Sequence, residues 1–491
     1  MQRRTEATFS SDQHDIGART SNWCDCLLRR TRSLSPNATR WDRLRHSLFC
    51  PPGVNLGRAY AFLLAVPIIW IAGYCLAGQE MLVNGNLFQL YILFIVCLLG
   101  GWCMELIGLP GLLGMLFAGM IVGNLERQTG WMTHPIHQDW SAKTRGLALI
   151  VIFICAGLEL NPDQLRRLSL IVIRLAFIPC VIEAVTVACI SYFILGFPWT
   201  WAFMLGFALS AASTAIVVPC MLKIQREGYG VDKGVPTMLT AASSIDDIFA
   251  ISIFAIFLGL TFSEGSIIRK MFMPLAEVTV GILYGIIFGI VLWFVPNRKD
   301  KFAIVEIRSI LLLLGGIVSY FGSIIIEMHS GGALGVLTMA FVASLGWRTQ
   351  GYESDNPVAL NFSYLWCIFE PLIFGLIGYE IDFTQIKLTT IGYGVIVIIG
   401  GLFFRCCASY FALHGGNFNV KEKVFSSIAW MPKAIVQAAI GPSALDAAQA
   451  MLHPNPQYIE WGRDIVTIVV TAILFRLPSE RSSWDFTPPS Y

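Results

Sequence analysis

Asp246 and Asp247 stand side by side in Ser243-Ser244-Ile245-Asp246-Asp247-Ile248, inside a run from Gly234 to Ser263 that holds no other charge. Read as a helix rising 1.5 Å per residue, that run places the two carboxylates roughly 20 and 26 Å from the flanking Lys233 and Glu264. Each charge at the centre of a membrane helix costs at least ~2.5 kcal/mol, so residues of this kind normally face a cavity or a partner and mark an ion or proton path. Two carboxylates in one buried site compete for the same compensating positive charge, and their hard oxygens suit a proton, Na⁺ or Li⁺ equally. Successive helical residues point about 100° apart, so one acid can face water while the other faces the protein. The plainer alternative is a pair neutralised by basic neighbours that transports nothing.

Two further ionisable residues fall inside apolar runs, Glu183 and Arg405, 222 positions apart. Neither is affordable alone, which predicts that they pair, either as a structural ion pair or as a gate. A third element is the matched pair Ser213-Thr214-Ala215-Ile216 and Pro432-Lys433-Ala434-Ile435, with Pro219 and Pro432 as candidate helix breakers. Interrupted helices expose backbone carbonyls and amides at mid-membrane, and Lys433 is placed to balance carbonyl ends. Ordinary proline kinks, with Lys433 reaching a watery crevice, are the alternative. His134-x-x-His137 lacks a third metal ligand. Glu159, Glu277, Glu370 and Glu380 suit either funnel lining or helix packing, and neither Asn37-Ala38-Thr39 nor Asn361-Phe362-Ser363 is expected to carry sugar. Cys24-x-Cys26 and Cys406-Cys407 have no partner ligands at zinc spacing. Walker, nucleophile-elbow and zinc-protease motifs are absent, which argues for no cofactor and against an enzyme.

What must position these residues is a membrane body. Of 491 residues 55% are hydrophobic and 13% charged, about half the charge that keeps a soluble protein hydrated. Charge-free runs at 59–79, 81–104, 106–125, 184–222, 278–297, 309–326 and 328–347 each reach the roughly 18 residues of a span. The pattern predicts an all-α polytopic protein of about fourteen transmembrane helices, near 57–79, 86–108, 109–125, 145–161, 168–196, 198–222, 235–262, 273–296, 304–327, 331–347, 361–381, 388–413, 422–445 and 464–476. The last is doubtful as a span, because only Ile465 to Phe475 is uninterrupted and a ~30 Å core needs more. Residues 1–56 read as an Arg-rich disordered tail, 57–477 as the membrane domain and 478–491 as a short second tail.

A net charge of +2 gives no case for nucleic acid. With the Arg-rich tail inside, basic residues such as Arg166, Arg167, Lys223, Arg298 and Lys421 fall in inside loops, while Arg127, Lys143 and Arg145 fall outside. Both termini are therefore expected in the cytosol. The start resembles a mitochondrial transit peptide, but Glu6, Asp12, Asp15, Asp25 and Asp42 count against it. The plasma membrane is expected, with a mitochondrial or endosomal membrane as alternative.

The chain also repeats itself. Ile152–Glu159 resembles Ile373–Glu380 and Gly114 aligns with Gly335, at a separation of 221; one of 219 aligns Thr214–Val217 with Lys433–Val436, and one of 218 aligns Asp246 with Asp464. Repeats at about 86–262 and 304–476 are offset by seven helices, an odd number, so the second copy is inserted upside down. Inverted repeats are a signature of secondary transporters with a midplane site.

On these residues, Thr214–Pro219, Ser243–Ile248 and Lys433–Pro442, the chain resembles the NHA branch of the sodium/proton antiporters, the 9B-like sodium/hydrogen exchangers, from about 57 to 470. The resemblance implies a homodimer with a dimerisation domain and a moving core, in which two broken helices cross beside the ion site. It implies Asp247 as the main cation ligand and proton carrier, Asp246 beside it, and Ser213, Thr214, Ser243 and Lys433 as support. Arg405 stands where electrogenic bacterial relatives have Lys, with Glu183 as its partner. Arg keeps its proton, so one Na⁺ or Li⁺ is expected to exchange for one H⁺ without net charge movement, serving pH homeostasis. The chain departs from the family pattern at Thr214, where some relatives carry Pro or an acid, and in its ending. K⁺/H⁺ or anion-coupled exchange, and a channel or non-transporting subunit, are the rival readings.

Overall fold

The computed structural model describes residues 54–83, 85–130, 136–159, 170–212, 217, 221, 224, 233–262, 267–296, 303–326, 328, 331–350, 356–384, 387–416, 418–431, 433, 435–451 and 455–484. The predicted first tail lies almost wholly outside these residues, as does the second half of the other, of which 478–484 belong to the last helix. Sixteen α-helices follow one another: α1 (Val54–Ala77), α2 (Asn86–Ile107), α3 (Gly111–Thr129), α4 (Gln138–Glu159), α5 (Leu170–Ile190), α6 (Trp199–Ser210), α7 (Val235–Phe262), α8 (Ile267–Phe294), α9 (Ile304–Ile325), α10 (Gly331–Arg348), α11 (Pro357–Glu380), α12 (Leu388–Ala412), α13 (Val420–Ala429), α14 (Ile435–Ile440), α15 (Ser443–Gln449) and α16 (Pro456–Trp484). Among the described residues nine helices are long and apolar enough to cross a bilayer by themselves. In lipid every backbone group must be satisfied within the segment, which is why hydrophobic spans fold as helices. The protein is a multi-pass integral membrane protein.

Among the described residues, α1 and the short 3₁₀ turn after it fall in one compact unit and those from Leu82 on in another. Within the second unit the elements recur: α2, α3, α4, α5, α6 and α7 start at 86, 111, 138, 170, 199 and 235, and α9, α10, α11, α12, α13 and α16 at 304, 331, 357, 388, 420 and 456. Packing recurs with them. α2 lies on α3 as α9 on α10, α3 on α11 as α10 on α4, α5 on α6 as α12 on α13, and α5 on α7 as α12 on α16. The pairs α4–α11 and α5–α12 are their own counterparts, so the pseudo-twofold axis between the repeats passes through them. The densest packing falls into two bodies, one of α2–α4 and α8–α11, the other of α5–α7 and α12–α16.

Without a hydrophobic force between helices in lipid, close approach depends on small residues. A Cβ on Gly119 would strike the Gly375 carbonyl, which is how α3 and α11 touch; a Cβ on Gly206 would strike the Ala184 carbonyl, which lets α6 lie against α5. Charge sits inside and large apolar side chains such as Leu106, Phe193, Ile399 and Phe403 face outward, the reverse of a soluble protein.

Three predicted spans differ. The one near 198–222 stops at Ser210, and Ala211 and Ala212 are extended. That near 422–445 is cut into α13, α14 and α15. The last is longer than its apolar run: α16 has 29 residues, about 43 Å at 1.5 Å per residue, because polar sequence on both sides of Ile465–Phe475 continues the helix. The span expected near 145–161 starts earlier, at Gln138, so Arg145 lies inside α4 rather than at its outer end.

Candidate functional site

α7 carries Asp246 and Asp247 at its middle. Asp246 is fully buried and Asp247 is 5% exposed, so of the two it is Asp247 that reaches accessible surface. One oxygen of Asp246, Oδ2, accepts from the extended Ala212 amide at 3.0 Å and from Arg405 Nη2 at 2.8 Å. Its other oxygen, Oδ1, is buried with no hydrogen-bond partner among the described residues. Ser243, one turn earlier, is buried and donates to the Thr240 carbonyl at 3.0 Å.

Arg405 projects from α12 to α5 and α6. Nη1 binds Glu183 Oε2 at 2.8 Å and also the Ser210 carbonyl, while Nε binds the Trp430 carbonyl at 3.1 Å. The guanidinium lies 6.0 Å from the Trp430 ring centroid. A planar fork with five donors serves two carboxylates and two carbonyls at once, more than the three donors of an ammonium could. Gly401, one turn earlier on α12, leaves space that Glu183 and Val187 of α5 occupy.

Lys433 lies between α13 and α14, outside either helix, and is 2% exposed. It binds Glu183 Oε1 and the Leu209 carbonyl, and Gln437 Nε2 binds the Ala211 carbonyl. The C-terminal end of α6 thus has its last carbonyls, at Leu209, Ser210 and Ala211, each matched by a side chain from the second repeat. A helix C-terminus carries a partial negative charge from its unsatisfied carbonyls, and two of the three donors are cations. These contacts explain the stop after Ser210, since Ala211 and Ala212 are themselves good helix formers. Pro219 comes well after the break, so proline does not cause it. Ser213 and Thr214 lie outside the described residues.

The structure therefore brings together Glu183, Asp246, Asp247, Arg405 and Lys433. The bridges from Arg405 to Asp246 and from Lys433 to Glu183 were missed from sequence, as were Gln437 and Trp430. The repeat register pointed to this region without saying which partners meet. Cys180 of α5 adds its thiol 3.3 Å from Ser210 Oγ. Other candidates fall elsewhere. His137 is exposed, 3.8 Å from Asp139, and His134 lies outside the described residues. Asn361 is inside α11 and donates to Ser309 Oγ at 3.0 Å. Glu370 lies in the same helix, while Glu380 ends it and lines a cavity of about 190 Å³ with Gln138, Asp382, Thr390 and Asp464. Among the described residues no three His, Cys, Asp or Glu side chains gather as a resident metal centre would require.

An all-helical membrane body with two interrupted helices meeting over buried acids is the architecture of a secondary ion transporter. The chain belongs to the sodium/hydrogen exchanger family: the profile described as "Sodium/hydrogen exchanger, transmembrane" matches residues 56–166 and 155–478. Sodium/hydrogen exchanger 9B2 of Xenopus tropicalis is 42% identical over 450 residues, covering 90% of this chain and 82% of that protein. Its human counterpart is 37% identical over 456 residues, with 92% and 83% covered, and human sodium/hydrogen exchanger 9B1 is 37% identical over 420 residues, with 84% and 79% covered. The solved sodium proton antiporter MjNhaP1 of Methanocaldococcus jannaschii superposes with a TM-score of 0.62 at 19% identity, over 82% of this chain and 96% of that one.

Proposed function

We propose that this chain is a secondary active antiporter that exchanges one Na⁺ or Li⁺ for one H⁺ by alternating access, without net charge movement. The observation that carries the reading is the charge of the buried cluster. Glu183, Asp246 and Asp247 supply three negative charges against two positive ones, Arg405 and Lys433, all within 5% exposure. A low-dielectric site left at −1 is stabilised by one monovalent positive charge and opposes a second. A proton and a small cation therefore displace each other at the same place, and the loaded site is neutral with either. Asp246 is anchored by Ala212 and Arg405, so Asp247 is the group that takes proton or cation. Arg405 keeps its charge throughout.

The two bodies of helices are suited to move against each other, with the α6 and α13–α14 breaks carried on one of them. The working form is a homodimer in lipid, in the plasma membrane, with both termini in the cytosol on the basic-loop pattern. The experiment is pH change inside proteoliposomes on addition of Na⁺ or Li⁺, with the membrane potential clamped at different values, for wild type and Asp247→Asn. Cation-driven proton movement that is lost in Asp247→Asn and indifferent to potential is the expected result. A rate that follows the potential would sink electroneutrality, and proton movement driven by K⁺ alone would reassign the cation.

A further inference from the structure

Apart from this cluster, a further buried cation, Arg145, joins one body to the other. Arg145 of α4 is 3% exposed; it binds Asp446 of α15 through both Nε, at 3.2 Å, and Nη2, and through Nη1 it reaches Ser141 Oγ at 2.7 Å and Glu380 of α11 at 3.3 Å. α4 and α11 belong to one body and α15 to the other, so the Arg145–Asp446 contact crosses the seam that must shear if the bodies move. Water can reach it: the side chains of Asp446 and Glu380 are 23% and 19% exposed, and Glu380 lines the cavity, which draws its walls from both bodies.

At the separation of 221 that aligns Glu159 with Glu380, Arg145 aligns with Trp366, so the second repeat carries no arginine at the corresponding place.

We infer that Arg145 is a positioning residue of the exchange cycle, a latch that closes the seam on its own face and biases the resting protein toward exposing Asp247 on the opposite face. The inference rests on the alternating-access reading above. Opening toward the Arg145 face requires parting Arg145 from Asp446, while opening the other way leaves the pair intact. Apparent affinity measured from a face falls with the fraction of molecules open to it, so the latch sets the ratio of the two apparent affinities without touching the ion.

The test is Na⁺-driven pH change in proteoliposomes sorted to one orientation, with the KM for Na⁺ measured from each face. Arg145→Gln is expected to lower KM from the Arg145 face and raise it from the other, changing their ratio about tenfold. Arg145→Lys, which keeps the charge but loses the fork, should fall between. Because truncation leaves two half-buried acids without their cation, Arg145→Met/Asp446→Leu is run beside it with the same expected ratio. Equal KM ratios in folded, exchanging variants, or a parallel rise from both faces, overturn the latch, as does loss of fold in every variant. A wild type that exchanges nothing overturns the antiport reading itself, and the latch with it.

Discussion

Where α6 stops, the chain offers backbone to the site, the carbonyls of Leu209, Ser210 and Ala211 and the amide of Ala212; where α13 stops, it offers the side chains of Lys433 and Gln437 as well as the Trp430 carbonyl. The two breaks stand at corresponding places in the repeats, yet they have become acceptor and donor. Identical breaks would set partial charges of one sign against each other. Divergence turns that repulsion into a fitted contact, and α5 and α12 show the same specialisation, one supplying Glu183 and the other Arg405.

The comparison can be broken at graded strength. Asp247→Asn should abolish cation-driven proton movement in proteoliposomes, a loss of at least about a hundredfold, with the thermal unfolding temperature nearly unchanged; residual exchange above a tenth of wild type would remove Asp247 from the ion path. Next comes Arg405→Gln, which removes the cation from Asp246 and leaves Glu183 with Lys433 alone. Breaking a buried pair costs about 3–5 kcal/mol, to be read as a collapse of thermal stability in detergent, and an unshifted unfolding temperature would deny the donor–acceptor contact. Asp246→Asn removes the net charge that attracts the cation, so KM for Na⁺ should rise at least about tenfold while the protein stays folded. Gln437→Leu orphans one carbonyl, which costs about 1–3 kcal/mol, and should lower the unfolding temperature without changing the pH profile of transport. Smallest of all, Lys387→Met at the surface removes an ion pair with Glu460 whose members are 60% and 46% exposed. Such pairs contribute little, so neither transport nor stability should move.

The sequence made the expensive features visible. Charges inside apolar runs stand out because lipid penalises them, and that is how Asp246, Asp247, Glu183, Arg405 and Lys433 could be singled out before any coordinate. The bounds of α7 were legible too, since Lys233 and Glu264 bracket an unbroken apolar run. Other features left no local trace. Nothing in Ala211-Ala212 announces a helix end, because the stop comes from donors about 200 residues further along the chain. Arg145 read as the outer end of a span because its two acids are distant in sequence, and only their approach makes it a buried position well inside α4. α16 was under-read because hydrophobicity marks the part in lipid, while helix continues through polar sequence at both ends.

Glu183 and Arg405 meet beside the pseudo-twofold axis, and that position has a historical consequence. In a dimer of identical six-helix units, a residue on the axis faces its own copy, and an acid or a base there would face like charge. An opposite-charge pair on the axis is open only to a single chain whose halves mutate separately. The 2.8 Å bridge between α5 and α12 is thus an arrangement that a symmetric dimer of one unit could not hold and that two halves of a single chain can.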